Sequence, residues 1–157
     1  MTRRGWTIEA PSTDPYLISE KLSEPSVCGG CGVVYEKGRF KWLKTAPEQA
    51  EEITCPACQR IRDDAAGGLV VLRGDFIEGH PKEILNLIEN TANEEKANHP
   101  LERLIAVLNL DDRIEVTTTY EHLARRIGEA IQHAYKGELR MHYADDEKLI
   151  RVQWQRN

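Results

Sequence analysis

The sequence predicts an α+β protein: a four-cysteine zinc ribbon followed by a ferredoxin-like β-α-β-β-α-β sandwich with one extra C-terminal strand. Three observations carry that expectation. All four cysteines fall in two CxxC pairs, Cys28-Gly29-Gly30-Cys31 and Cys55-Pro56-Ala57-Cys58. Two apolar stripes of helical period, one opened by Pro81 and one running from Leu123 to Ala134, point to amphipathic helices. Short strand-like runs flank them in an order that matches the split βαβ pattern with one strand to spare.

Residues 1–27 carry Pro11, Pro15 and Pro25 among scattered Ser and Thr, without periodicity, and read as an extended or disordered arm. Met1-Thr2-Arg3-Arg4-Gly5-Trp6 offers no apolar stretch for a signal peptide, and no window approaches the ~20 apolar residues of a membrane span. A cytoplasmic protein with reduced thiols is expected. Residues 28–62 form the zinc element. Four soft thiolates suit one tetrahedral Zn²⁺, held by Cys28, Cys31, Cys55 and Cys58, with no position left for water or substrate. The intervening 23 residues must return the chain to its starting point. Gly29, Gly30 and Gly32 permit the tight first knuckle, and Pro56 stiffens the second. Neither motif sits at the end of a strand in a βαβ unit, as a thioredoxin-like pair would. Two disulfides would want a secreted chain.

Between the knuckles, Val33-Val34-Tyr35 and Arg39-Phe40-Lys41-Trp42-Leu43 flank a loop Glu36-Lys37-Gly38, which predicts a β-hairpin. A segment of this size cannot bury enough apolar surface to fold unaided, so the metal is expected to supply the folding free energy. Gly67-Gly68 read as linker, and the α+β domain is expected over 68–157. It opens with the strand Leu69-Val70-Val71-Leu72, after which Gly74 reads as a strand irregularity. Pro81 starts a helix with Ile84, Leu85, Ile88 and Ala92 on one face. Two strands, 104–108 and 113–117, turn at Asp111-Asp112. Thr118 and Glu121 have the spacing of a capping box, Leu123, Ile127, Ala130, Ile131 and Ala134 form the second stripe, and Gly137 stands at its αL end. Leu139, Met141 and Tyr143, then Ile150, Val152 and Trp154, alternate with polar residues on either side of a turn at Asp145-Asp146-Glu147.

Catalysis is not expected. His80, His99, His122, His133 and His142 show no HExxH spacing and read as structural or solvated, and Gly67, Gly68 and Gly74 fit no phosphate-binding loop. Arg125-Arg126 reads as a solvated face. The net charge of −5 divides into +1 over 1–62 and −6 over 63–157, so bulk attraction to nucleic acid is excluded and any contact must be a local patch. The ribbon offers one. Lys37, Arg39, Lys41 and Lys44 interleave with Tyr35, Phe40 and Trp42, and Arg60 and Arg62 follow the second knuckle. Cations beside stacking aromatics would suit RNA. The alternative is that Phe40 and Trp42 are the ribbon's small core and the cations keep it soluble. A protein–protein adaptor, using the sheet face left open by two helices or the N-terminal arm, is the competing function. A redox or metal-delivery protein would require a labile metal.

Asp14-Pro15-Tyr16, Glu24-Pro25-Ser26-Val27-Cys28, Lys37-Gly38-Arg39-Phe40, Cys55-Pro56-Ala57-Cys58, His99-Pro100-Leu101-Glu102-Arg103, Thr117-Thr118-Thr119 and His122-Leu123-Ala124-Arg125-Arg126-Ile127-Gly128 together resemble an uncharacterised family of small bacterial zinc-ribbon proteins over nearly the whole chain. More remotely, a cysteine-pair module before an α+β domain is similar to the N-terminal part of the archaeal and eukaryotic adaptor for large-ribosomal-subunit export. That family carries more CxxC pairs than the two here. The resemblance implies zinc at Cys28, Cys31, Cys55 and Cys58, and RNA or a ribosomal particle as partner.

Overall fold

A computed structural model describes residues 22–144 and 148–157. The arm expected at the N-terminus lies outside the described residues up to residue 21, as does the turn expected at Asp145-Asp146-Glu147. The chain divides into two compact units after Gln59. Both contain a mixed sheet, so the protein is α+β.

The first unit is built on four strands of three residues each: β1 (Ser26–Cys28), β2 (Val34–Glu36), β3 (Arg39–Lys41) and β4 (Glu51–Ile53), in the order β3-β2-β1-β4. The hairpin β2–β3 pairs Glu36 with Arg39, so its loop is the two residues Lys37-Gly38 rather than three. Both have positive φ (56° and 80°), the backbone of a type I′ turn. Tyr35 and Phe40 are paired across this hairpin with ring centroids 4.9 Å apart. Ser26 and Val27, expected in the arm, are strand instead. Ser26 is fully buried and its hydroxyl donates to the Ser23 carbonyl (2.5 Å), while Val27 pairs with Val34 on one side and Glu52 on the other. β1 and β4 run parallel, with Cys28 opposite Ile53. Two parallel neighbours deliver both CxxC segments from the same end of the sheet, and that brings the distant pairs together.

Helix α1 (Pro56–Asp63) follows directly, with Pro56 in its first turn where a missing N–H costs nothing. The second unit then has β5 (Gly68–Arg73), α2 (Asp75–Gly79), α3 (Pro81–Asn98), β6 (Leu104–Asn109), β7 (Arg113–Thr118), α4 (Glu121–Tyr135), β8 (Glu138–Ala144) and β9 (Leu149–Gln155). Strand order is β6-β7-β5-β9-β8. A βαββαβ arrangement places its fourth strand, β8, beside its first, β5. Here β9 occupies that place, parallel to β5 and antiparallel to β8, and β8 moves to the edge. Val70, Leu72, Ile114, Val116, Ile150, Val152 and Trp154 line one sheet face and pack with Ile84 and Ile88 of α3 and Leu123, Ile127 and Ile131 of α4 in one core. Period 2 on the strands and 3.6 on the helices put these residues on the shared side.

The structure corrects three further local expectations in the second unit. Gly67-Gly68 is no linker: Gly68 starts β5, and a Cβ there would meet Ala124 Cβ at 2.5 Å and Thr118 Oγ1 at 2.6 Å. Gly74 is no strand irregularity but the junction into α2, with φ of 114° and Arg156 O at 2.0 Å from where its Cβ would be, so only glycine fits. The capping box does not form. Thr118 Oγ1 donates to Tyr120 O (2.7 Å), and the orphan N–H of Leu123 in the first turn of α4 donates to the Glu102 carboxylate (2.9 Å). A residue from the α3–β6 connection therefore caps α4.

Burial, followed by the like charges of Glu95 and Glu121, raises the Glu102 pKa from 4.5 to about 7, against the lowering effect of the Leu123 N–H. The folded state thus holds this proton more tightly than the unfolded chain. The stabilisation is complete below pH 4.5 and is lost as pH rises through 7. Glu102→Gln keeps an acceptor for Leu123 and removes the titration. Its urea midpoint should match the parent at pH 4 and exceed it at pH 8 by the equivalent of about 2–3 kcal/mol. Equal midpoints at pH 8 would show that Glu102 ionises without cost.

Candidate metal centre

Each cysteine is placed by a specific local device. Cys28 closes β1, its N–H donating to Val33 O (2.8 Å), and Gly32 N returns to Cys28 O (2.9 Å) with Gly32 at φ 85°. That turn makes the first knuckle. Gly29 N donates to Ile53 O (2.9 Å), tying this knuckle to the end of β4, from which Cys55 follows two residues on. Cys58 lies in the first turn of α1, and Gln59 N donates to Cys55 O (3.0 Å).

The four sulfurs converge. Cys28 Sγ and Cys58 Sγ are 3.7 Å apart, Cys31 Sγ and Cys55 Sγ 3.8 Å, and all four lie within 4.8 Å of one another. Disulfide sulfurs sit about 2.05 Å apart, so these are four free thiols. A tetrahedron of sulfurs around an ion with bonds of about 2.3 Å has edges of about 3.8 Å. The cluster can hold a metal ion in that geometry. Backbone amides are already aimed at the sulfurs: Gly30 N donates to Cys28 Sγ (3.4 Å), Cys55 N to Cys28 Sγ (3.3 Å) and Cys58 N to Cys55 Sγ (3.4 Å). Amide donors stabilise thiolate charge. Cys28 and Cys55 are buried, Cys31 and Cys58 half-buried, so the centre is close to the surface yet shielded on one side.

Without a cation two of the thiols resist ionisation. Hydrogen bonding with Cys31 and then burial push the Cys55 thiol far up, and burial raises that of Cys58. Four sulfurs gathered in one place cannot all carry charge unless a cation is among them. Metal loading must therefore expel protons, and acid must weaken it.

The remaining expected site residues are divided between the two units. Lys37, Arg39 and Lys44 are exposed on or beside the β2–β3 hairpin. Lys41 is paired with Glu36 (3.1 Å) and Trp42 is half-buried. In the second unit, Arg60 donates through Nη1 to Ala65 O (3.0 Å) and lies over the Tyr120 ring at 4.7 Å, while Arg62 pairs with Asp63 (3.0 Å). Arg60 and Arg62 thus belong to a helix terminus with its own partners. Arg125-Arg126, expected to be solvated, bridges elements: Arg125 Nη2 donates to Tyr143 OH (3.3 Å), and Arg126 pairs with Glu95 (3.3 Å) and Glu129 (3.2 Å).

No family model, no curated protein and no solved structure matches the chain. Among the described residues no helix is long and apolar enough to cross a membrane.

Sequence reasoning missed one cluster. Glu95 and His99 stand one turn apart at the end of α3, and the structure brings His122, from the first turn of α4, against them. The Glu-x-x-x-His spacing was visible on a predicted helix. The approach of His122 was not, because proximity across 23 residues is a tertiary fact.

Proposed function

We propose that this is a non-enzymatic zinc-binding protein whose first unit is a zinc ribbon and whose second is a variant of the ferredoxin-like sandwich with β9 inserted. The sulfur separations of 3.7 and 3.8 Å carry the reading, since they match the tetrahedron edge for zinc–thiolate bonds. Zinc is favoured over softer or redox-active ions by an all-thiolate set delivered on two knuckles, the composition of structural zinc sites. With every ligand position filled by sulfur, the ion organises the chain around it and offers no position to a substrate. The redox and metal-delivery alternatives require lability that amide-supported thiolates in a folded sheet oppose.

For the partner, we propose RNA or a ribosomal particle, contacted through the hairpin of the ribbon. What supports this is the exposed trio Lys37, Arg39 and Lys44 on a metal-organised turn, together with the remote resemblance to a ribosomal-subunit export adaptor. Lys41, paired with Glu36, and Trp42 flank that trio, and Arg60 and Arg62 follow the second knuckle on α1. Changing Lys37, Arg39 and Lys44 together to Glu should release co-purifying RNA and move the protein to the top of a ribosome sucrose gradient at low salt. Unchanged sedimentation would defeat the RNA reading and favour the protein adaptor. One observation supports that second reading: a cavity of about 250 Å³, lined by Val71, Arg73, Glu138, Arg140, Gln153, Trp154 and Gln155, opens along strands β5, β9 and β8.

A further inference from the structure

We infer that the second unit carries another metal site, formed by Glu95, His99 and His122, that takes one divalent first-row transition ion. The three side chains each present a ligand atom, and these atoms lie within 4.8 Å of one another. His122 Nε2 is 2.8 Å from Glu95 Oε1, and the His99 and His122 rings meet edge-on with centroids 5.1 Å apart. Zinc bonds to imidazole and carboxylate of about 2.0–2.2 Å need donors a little over 3 Å apart, so a small opening of one contact and a swing of His99 complete the set. His99 is exposed at the helix end, and the His122 side chain is 47% exposed, so both rings can turn and an ion can enter from solvent.

The surroundings fix the remaining degrees of freedom. The Glu95 side chain is only 10% exposed, and Arg126 Nε holds its other oxygen at 3.3 Å, which leaves Oε1 facing the histidines. A hydrogen-bonded carboxylate oriented in this way is the usual support of a ligating group. The backbones that bear the two histidines are locked to each other by Thr119. Its hydroxyl donates to Leu101 O (2.6 Å) and accepts from Arg103 N (2.9 Å), just after His99 and just before His122. Two imidazoles with one carboxylate select zinc, cobalt, nickel or iron over magnesium and calcium, which want oxygen alone. Three protein ligands leave at least one position for water, unlike the all-sulfur centre.

A bare ion-pair network joining α3 to α4 is the competing explanation. It needs Glu95, His122 and Arg126 but gives His99 no part. The full chain with zinc already in the cysteine centre should be titrated with Co²⁺, which binds nitrogen and oxygen ligands more weakly than zinc binds thiolate and so leaves that zinc in place. We expect one further equivalent, with visible d–d bands and no thiolate charge-transfer band. His99→Ala and His122→Ala should each weaken uptake at least tenfold, with the first zinc retained. No second equivalent, or uptake indifferent to His99→Ala, overturns the assignment. His99→Ala alone decides the matter if His122→Ala perturbs folding, because the His99 ring is exposed. The first centre is read separately by its zinc content, so the two assignments fail independently.

Discussion

Cys55→Ser should unfold the first unit, with residues 26–58 losing their sheet and amide protection, while the second unit keeps its helical circular dichroism. Cys55 is 0% exposed, its sulfur is 3.8 Å from Cys31, and its own amide donates to Cys28 Sγ. The sheet around it consists of three-residue strands, and among the described residues its buried side chains are few: Ser26, Val33, Val34, Tyr35, Pro56 and Ala57 beside the cysteines. So small a core supplies little of its own stability. In zinc-finger peptides, metal binding contributes an apparent 10–16 kcal/mol at neutral pH, and that free energy is folding free energy. Strong chelation, or acidification that returns protons to the thiols, should produce the same selective loss as the substitution. Amide exchange read by NMR checks it. A Cys55→Ser protein with intact protection over residues 26–58 would mean that the sheet stands without the ion.

Trp154→Ala should cost about 3–5 kcal/mol, the range for deleting a buried aromatic. Trp154 is 1% exposed on β9, paired with Leu72 of β5 and Leu139 of β8. Its Nε1 donates to Lys136 O (2.5 Å) at the end of α4, and the Phe76 ring meets it edge-on at 6.2 Å. Gly137 turns beneath the indole, where an added Cβ would lie 2.7 Å from the ring. Truncation leaves a cavity and also orphans the Lys136 carbonyl, so two penalties add. Urea denaturation followed by far-UV circular dichroism measures it. A loss below about 1.5 kcal/mol would show that the end of the sandwich collapses around the void.

The second unit was largely legible because its elements are long enough to show a period. Ile84, Ile88 and Ala92 on one helix, and Ile150, Val152 and Trp154 on one strand, are buried as their spacing predicts. Where β9 sits was not legible. Its alternation is satisfied equally at an edge or beside β5, and only packing against α4 and the neighbouring strands selects the inner place. The first unit hid more. Glu51-Glu52-Ile53 is mostly exposed and Ser26-Val27-Cys28 is a single turn-to-turn span, so neither gives an apolar pattern although both are strands. Helix α1 buries only Pro56 and Ala57, too little for a stripe. At α4 a local rule lost to a distant one: Thr118 and Glu121 had the capping spacing, but Glu102 supplies the cap. The cysteine spacing, by contrast, asked for one point of convergence, and the parallel pair β1–β4 provides it.

The central claim is that one zinc ion sits among Cys28, Cys31, Cys55 and Cys58. Zinc-edge X-ray absorption on the His99→Ala protein, with total metal measured on the same sample, addresses it directly. We predict one zinc per chain and a single shell of four sulfurs at about 2.3 Å. A shell containing nitrogen or oxygen in place of any sulfur, or a metal-free protein whose four cysteines are paired as disulfides, would contradict it.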